Sequence, residues 1–196
     1  GELNLKSLDI VLTEKCSLKC IDCSNLMQYY IKPQNVENDK LENNIDYLMK
    51  NIHYVKEIRL IGGEPLMYKS IDKIISRIKL FNNFSKVVIF TNGTIIPREN
   101  TLIECADKRI YFLISDYGKD LSKKTSTLIQ VLKDNKVNYI NERVTKWQNC
   151  AQISLKDRNS TDTFETYSNC CVNDAITLLH GKVYGCPFSA HANNLK

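Results

Sequence analysis

The chain of 196 residues carries 27 Lys and Arg against 22 Asp and Glu, a formal net charge of +5, and 43% of its residues are apolar. These proportions are typical of a globular protein, and the length allows one full-sized domain with a small addition. No apolar run approaches the ~20 residues of a membrane helix, and no signal peptide is recognisable, so a membrane-spanning, secreted or disordered protein is not expected. The positive charges lie among acidic neighbours, which favours a mixed solvated surface over nucleic-acid binding.

Cysteine is the unusual entry in this composition. The eight cysteines are Cys16, Cys20, Cys23, Cys105, Cys150, Cys170, Cys171 and Cys186. Without a secretion signal they are expected in a reducing compartment, the cytoplasm, where clustered thiols act as metal ligands or catalytic groups rather than as disulfides.

Local periodicity predicts alternating strands and helices along most of the chain. The predicted strands cover 8–12, 57–61, 86–90, 109–115 and 137–140. Amphipathic helices capped by Asn38, Ser70 and Ser122 and a short helix over 99–106 are predicted between them. Buried strands that alternate with such helices indicate an α/β fold with a parallel sheet of right-handed βαβ units, either open or curved into a partial barrel.

The last part of the chain, residues 147–196, has a different character and is treated as a second unit after 1–146. Residues 155–169 are rich in Ser, Thr, Asn and Asp and are predicted to form a loop or linker. Strands over 175–179 and 182–186, joined by a two-residue turn, predict a β-hairpin. A unit this small is expected to need a staple besides apolar burial.

The first cysteine group directly follows the first predicted strand, with the spacing C-x3-C-x2-C over Cys16, Cys20 and Cys23. The same spacing would also suit one buried helix face, but Lys19 and charged neighbours interrupt it. A structural zinc site takes four ligands, and only three lie together here. Three thiolates without a fourth suit a cubane iron–sulfur cluster with one open iron, and Lys15 and Lys19 would offset its negative charge.

This loop resembles the signature of the radical S-adenosylmethionine (SAM) superfamily, in which three cysteines after the first strand of a partial (β/α)6 TIM-like barrel hold a [4Fe–4S] cluster. In that family the amino and carboxylate groups of SAM chelate the open iron. The family usually has an aromatic residue before the third cysteine, where this chain has Asp22. The resemblance therefore does not extend to aromatic stacking on the adenine at that point.

A second motif, Gly62-Gly63-Glu64-Pro65, stands at the end of the second predicted strand. Alone it is equally consistent with a plain strand-to-helix turn, because glycines allow close backbone approach and proline ends a strand. One βα unit after the cysteine loop, it resembles the family's GGEP motif, which contacts the SAM amino group. The resemblance thus implies that Gly62, Gly63, Glu64 and Pro65 bind SAM.

Two further strand ends extend the resemblance, which covers residues 5–146. Thr91-Asn92-Gly93 and Ser115-Asp116 follow the third and fourth strands, and ligands bind at such ends in barrels and α/β sheets. Each alone reads as a turn. The resemblance implies that Asn92 and Ser115 lie near the SAM carboxylate or ribose. Asp116 is a candidate base, with a solvated aspartate at a helix start as its alternative.

A second cysteine group belongs to the predicted hairpin. The spacing C-x9-G-x4-C from Cys171 to Cys186 resembles the start of the SPASM or twitch extension, which carries an auxiliary [4Fe–4S] cluster; zinc is the rival. Cys150 and Cys170 could supply further ligands, or one of the doublet could donate a hydrogen atom. Cys105 lies in an apolar helical context and is expected to be an inert buried thiol.

The resemblance implies an enzyme that cleaves SAM reductively and uses a 5′-deoxyadenosyl radical to take hydrogen from a small, sugar-like molecule or a peptide, with the auxiliary cluster assisting oxidation or substrate binding. It also implies a flavodoxin or ferredoxin as electron donor, and no nucleic-acid or membrane partner. The alternative is a non-catalytic iron–sulfur or zinc module for electron transfer or partner binding. The length suggests either a minimal form or a fragment.

Overall fold

The computed structural model describes residues 1–146, 153–154, 156–170 and 172–195. Its main elements in chain order are β1 (Asn4–Thr13), α1 (Asn38–Asn51), β2 (Tyr54–Gly62), α2 (Ile71–Lys79), β3 (Phe84–Thr91), α3 (Glu99–Cys105), β4 (Ile110–Asp116), α4 (Thr125–Asp134), β5 (Asn138–Arg143), α5 (Ser160–Ser168), β6 (Ala175–Leu179), β7 (Lys182–Tyr184) and α6 (Pro187–Asn194). None of the helices in these ranges is long and apolar enough to cross a membrane.

The seven strands formed by the described residues belong to one sheet, in the order β5-β4-β3-β2-β1-β6-β7. The pairs from β1 to β5 are parallel, as the alternating pattern predicts. The strand β6 lies parallel to β1 on its other edge, and β7 is antiparallel to β6. The C-terminal strands therefore extend the same sheet, with β1 near its centre.

The hairpin of β6 and β7 is confirmed where the sequence predicts it. Its two-residue connection consists of His180 at φ 48° and Gly181 at φ 78°. Two successive left-handed residues match the right-handed twist of the flanking strands and are typical of the tightest hairpin turns.

The two faces of β1 differ in chemistry because successive side chains of a strand point to opposite sides. Leu8, Ile10 and Leu12 are buried and belong to the continuous apolar core, together with the inner faces of α1 and α2. On the other face, Ser7 and Asp9 are polar and yet also buried. Because one face of β1 is polar and still buried, the interior on that side of the strand is not a purely apolar core.

Three local predictions are wrong, and one helix was not predicted. The stretch predicted as loop contains α5, whose residues are all exposed and whose start is capped by the Asn159 side chain, which accepts a hydrogen bond from the Asp162 amide. The helix α6, which follows the hairpin, is the one that was not predicted. Asn38 does not cap α1: it is the first residue of that helix, and the N-cap is Glu37, without a side-chain hydrogen bond. Ser122 does not cap α4, which begins three residues later without a side-chain cap.

Candidate cofactor site

A cavity of about 260 Å³ opens at the C-terminal ends of the central strands. It brings together seven residues that the sequence singled out: Cys16, Cys20, Cys23, Gly62, Gly63, Asn92 and Ser115. These residues come from four separate stretches of chain, and parallel pairing of β1 to β4 aligns the ends of the strands at one edge. The cavity is the place where a ligand of an α/β sheet is expected.

The three thiols of the first group are free and half-buried in the cavity wall. The Cys16 sulfur accepts hydrogen bonds from the Leu18 amide, with 3.4 Å between Sγ and N, and from the Asn92 side chain, with 3.7 Å between Sγ and Nδ2. Burial raises the pKa of Cys16 to about 11 and also raises the pKa of Cys20. A bound cationic centre would reverse these shifts, since metals are held by thiolates.

This donor set suits an iron–sulfur cluster better than a single ion. In the described part of the chain, no three His, Cys, Asp or Glu side chains converge closely enough to hold one metal ion. The three thiols instead line a shared cavity, and each thiolate of a cluster binds a different iron. The residues present therefore fit a cluster held by Cys16, Cys20 and Cys23.

The two glycines of the second motif let the end of β2 lie against the start of the cysteine loop. A Cβ on Gly63 would stand 2.2 Å from the Lys15 carbonyl oxygen, and one on Gly62 would stand 2.4 Å from that of Thr13. The amide of Gly63 donates to the Thr13 carbonyl at 2.8 Å. Only glycine permits this approach, because real side chains do not come so close to backbone atoms.

Glu64 is fully buried and does not line the cavity. Its carboxylate accepts hydrogen bonds from the Thr91 hydroxyl at 2.9 Å and from the backbone amides of Asn92 at 2.8 Å and Leu66 at 3.1 Å. Burial raises the pKa of Glu64 to about 7, against the effect of these hydrogen bonds. Glu64 fastens β2 to β3 behind the cavity wall, and Pro65, also buried, begins a single helical turn after it.

The turn after β3 is held in a similar way by Ser122, which lies just before α4. The Ser122 hydroxyl donates to the Asn92 carbonyl at 2.7 Å and accepts from the Tyr117 amide at 2.9 Å. Gly93 has φ 72°, and a Cβ there would meet the Thr125 hydroxyl at 2.5 Å. No local sequence pattern indicates this role of Ser122, because its partners are 30 and 5 residues away.

The end of β4 contributes Ser115 and Tyr117 to the cavity, whereas Asp116 between them does not line it. Asp116 accepts a hydrogen bond from the Gly118 amide at 2.8 Å and pairs with Arg143 at 3.2 Å. Burial raises the pKa of Tyr117 to about 12. The structure thus places Asp116 in an ion pair beside the site rather than within it.

The second cysteine group is described only in part. Cys150 and Cys171 lie outside the described residues, while Cys170 and Cys186 are free and half-buried. The Cys186 sulfur caps α6 by accepting from the Ser189 amide at 3.3 Å. Val172 and Pro187 line the cavity of the first group, so this part of the chain reaches the same opening. Cys105 is fully buried in α3, as expected, and burial raises its pKa to about 12.

The C-terminal segment is also tied to the strand that leads into the cysteine loop. The buried Glu14 carboxylate accepts hydrogen bonds from the Gln34 amide at 2.7 Å and from Asn194 at 2.6 Å, and its Oε1 lies 2.7 Å from Nε2 of His180. Tyr30 adds a contact to His191, with 2.8 Å between the hydroxyl and Nδ1. Burial lowers the pKa of His191 to about 4.

Two charged residues of the cavity were not singled out from the sequence, Asp9 on β1 and Arg59 on β2. Asp9 is only 2% exposed, and Arg59 lies with its guanidinium 3.8 Å from it. The available signal was a lone aspartate within the apolar run Leu8-Asp9-Ile10-Val11-Leu12. A charge in the middle of a buried strand indicates either a partner or a ligand.

Comparison with known proteins shows the family to which the chain belongs. A family model described as the radical SAM superfamily matches residues 10–144, from β1 to the end of β5. The chain belongs to the radical SAM superfamily. Membership implies a [4Fe–4S] cluster and SAM, the cofactors that the three-cysteine loop predicts.

Among curated relatives, this superfamily member is similar to GTP 3′,8-cyclases. It is 30% identical to that of Clostridium acetobutylicum over 134 residues, 66% of this chain and 41% of the relative. It is 28% identical to that of Clostridium perfringens strain SM101 over 181 residues, 88% of this chain and 51% of the relative. The chain thus spans about half the length, or less, of these curated relatives.

Solved structures of the superfamily share the fold. BtrN in complex with AdoMet and 2-DOIA matches with a TM-score of 0.60 at 16% identity, over 96% of this chain and 75% of that one. Streptococcus suis SuiB bound to S-adenosylmethionine matches with a TM-score of 0.59 at 18% identity, over 87% of this chain and 38% of that one. These likenesses confirm the predicted α/β fold of the partial TIM-like barrel type.

Proposed function

We propose that this chain binds a [4Fe–4S] cluster on Cys16, Cys20 and Cys23 and cleaves SAM reductively to modify a substrate. The observation that supports this most is the shared cavity, in which the three thiols meet the glycines that end β2. With both cofactors bound, one-electron reduction would cleave SAM to a 5′-deoxyadenosyl radical that takes a hydrogen atom from the substrate.

The residues of this chain would hold and orient the cofactors. Gly62 and Gly63 offer backbone to SAM beside the open edge of the cysteine loop, and Asn92 and Ser115 offer polar side chains from the next two strands. Glu64 and Pro65 support these groups from behind the wall, and direct contact of either with SAM stays a prediction. Ser122 and Glu64 together hold the Asn92 backbone from both sides, which keeps the site preorganised.

Anaerobic reconstitution with iron and sulfide, followed by reduction in the presence of SAM, tests the proposal. We expect 5′-deoxyadenosine, and we expect none from a C16A/C20A/C23A variant. Cys105→Ala is the matched control, because it removes a thiol that is buried in α3 away from the cavity. A reconstituted cluster that yields no 5′-deoxyadenosine would favour the alternative, a non-catalytic module for electron transfer or partner binding.

We also propose an auxiliary [4Fe–4S] cluster on the C-terminal unit, residues 147–196, with ligands drawn from Cys150, Cys170, Cys171 and Cys186. The neighbouring Val172 and Pro187 line the cavity of the first group, which supports a second group close to the substrate. The triple variant of the first group tests this as well. Iron and sulfide retained by that variant would support the auxiliary cluster, and loss of all iron would contradict it.

The proposed substrate is a small, sugar-like molecule or a peptide, and the proposed electron donor is a flavodoxin or a ferredoxin. The net charge of +5 suits an acidic donor. Asp116 as the base that takes a substrate proton stays a prediction, and its ion pair with Arg143 favours a structural role. Asp116→Asn would separate the two roles: a base would be needed for product but not for 5′-deoxyadenosine formation.

A further inference from the structure

Asp9 has a buried carboxylate, and one of its two oxygens accepts no hydrogen bond from the described residues. It is 2% exposed and lines the cavity that the cysteines share. Its Oδ2 lies 3.5 Å from the Thr177 hydroxyl, which donates to it. Its Oδ1 has no hydrogen-bond partner among the described residues. Such a group is costly unless something else supplies the donor.

The neighbouring arginine does not supply it. The nearest nitrogen of Arg59 stays 3.8 Å from Asp9 Oδ1, beyond hydrogen-bond distance. Arg59 Nε instead donates to Glu57 at 2.5 Å, and the guanidinium lies 6.0 Å from the centre of the Phe90 ring. Glu57 is shared between two cations, since its other carboxylate oxygen lies 2.7 Å from Lys86 Nζ. Arg59 therefore directs its hydrogen bond to Glu57 and leaves Asp9 Oδ1 without a donor.

The electrostatics around Asp9 agree with this picture. Burial raises the pKa of Asp9 to about 6, and the attraction of Arg59 and the Thr177 hydrogen bond only partly offset it. The surroundings thus stabilise the charged form too little on their own. A cationic donor in the cavity would form a charge-assisted hydrogen bond with Oδ1 and relieve this penalty.

We propose that Asp9 is a specificity-determining residue whose Oδ1 binds a protonated amine of a small-molecule substrate. The inference rests on the proposed function, because it takes the cavity of the cysteine group as the place where the substrate lies. It narrows the substrate class to amine-bearing small molecules. It also disfavours a nucleoside triphosphate at this wall, since a carboxylate repels phosphate at short range, particularly where water is excluded.

A substrate bound through a protonated amine would distinguish this chain from its curated relatives. The names of the curated relatives point to GTP as a substrate, and the identity to the Clostridium acetobutylicum protein is 30%. Among the described residues that line the cavity, Arg59 is the one cationic side chain that could attract phosphate, and it already donates a hydrogen bond to Glu57. An amine satisfies Asp9 without disturbing that pair.

The test uses the full chain, reconstituted anaerobically and loaded with SAM, and measures binding by titration calorimetry. The probes are glucosamine, glucose and GTP; the first two differ only in the amine. We expect glucosamine to bind about tenfold or more tightly than glucose, and more tightly than GTP. Asp9→Asn keeps the shape but removes the charge, and should abolish the preference for the amine. Asp134→Asn, an exposed change in α4, is the control.

Equal binding of the two sugars, no binding of glucosamine, tighter binding of GTP, or a preference that survives Asp9→Asn would each overturn the proposal. Equal binding of the two sugars by the unsubstituted chain overturns the proposal even where the variant folds poorly. Formation of 5′-deoxyadenosine without substrate is measured in parallel. If no 5′-deoxyadenosine forms but the amine preference is seen, the proposed function is contradicted, while binding of an amine at Asp9 is still supported.

Discussion

The carboxylate of Glu64 accepts a hydrogen bond from the backbone amide of Asn92, with 2.8 Å between Oε2 and N. The contact joins the end of β2 to the end of β3 directly behind the cavity. The other carboxylate oxygen of Glu64 accepts hydrogen bonds from the Thr91 hydroxyl and the Leu66 amide, so every partner of this carboxylate is a donor. Glu64 therefore holds the backbone of Asn92 in place and so determines the position of the Asn92 side chain.

Glu64→Gln should weaken this contact between β2 and β3, because the side-chain NH2 of glutamine would face a hydrogen-bond donor in either orientation. We expect the free energy of unfolding to fall by about 1–3 kcal/mol and SAM to bind more weakly. Chemical denaturation and SAM titration of the reconstituted chain measure the two effects. Glu165→Gln, an exposed change in α5, should alter neither. Unchanged stability and unchanged SAM affinity in the Glu64 variant would show that Glu64 does not hold Asn92 in position.

Gly63→Ala should disrupt the contact between β2 and the cysteine loop. The added methyl group would lie 2.2 Å from the Lys15 carbonyl oxygen and 2.8 Å from the Cys16 Cβ, so backbone must move. We expect a loss of about 1–3 kcal/mol in stability and a lower iron content after reconstitution. Gly185→Ala is the matched control, since a Cβ there meets nothing within 4 Å. Equal iron content in both variants would refute the expectation.

Ser122→Ala should loosen the turn after β3 without touching the cysteines. The change removes the donor to the Asn92 carbonyl and the acceptor of the Tyr117 amide, both at a residue only 3% exposed. We expect about 1–3 kcal/mol less stability and weaker SAM binding, with iron content unaffected. Thermal unfolding and calorimetry report these changes, and Ser76→Ala on the exposed side of α2 serves for comparison. An unaltered SAM affinity would argue against the turn as part of the site.

The buried His191 predicts a loss of stability in acid. Its folded pKa of about 4 lies below the ordinary 6.5 because burial disfavours the charged ring, while Glu14 favours it and His180 opposes it. The resulting stability is present above pH 6.5 and is lost as the pH falls through 4, since the unfolded chain binds the proton first. Between pH 7 and 5 the loss should be about 2 kcal/mol.

Comparison with His191→Gln isolates this effect. Glutamine can still accept the hydrogen bond of the Tyr30 hydroxyl, and Glu14 and His180 remain in both proteins. We expect urea unfolding at pH 7 and pH 5 to show a smaller acid-dependent loss in the variant. Identical pH dependence in the two proteins would show that His191 is not the group responsible.

Sequence reasoning located the parts of the site that depend on local pattern. The spacing of Cys16, Cys20 and Cys23 is a feature of one loop, and the paired glycines follow a strand that its apolar run identifies. The parallel sheet then brings such strand ends to one edge without further information. For this reason the cavity and most of its predicted lining were foreseeable.

The supporting contacts were not foreseeable, because they join residues far apart in sequence. Ser122 reads as a helix cap but bonds 30 residues back to Asn92. Asp9 reads as an interruption in an apolar strand, and its surroundings depend on Thr177, 168 residues later. The helix α5 buries nothing, so it shows no apolar stripe from which a helix is predicted.

The pairing of β6 with β1 has a consequence for how the protein is made. One edge of β1 finds β2 within the first third of the chain, whereas its other edge waits for Ala175 to Leu178. Until those residues leave the ribosome, the strand that leads into the three cysteines has an unpaired edge, which is open to wrong partners. A chain interrupted before that point would therefore leave an unpaired strand edge close to the three cysteines of the first group.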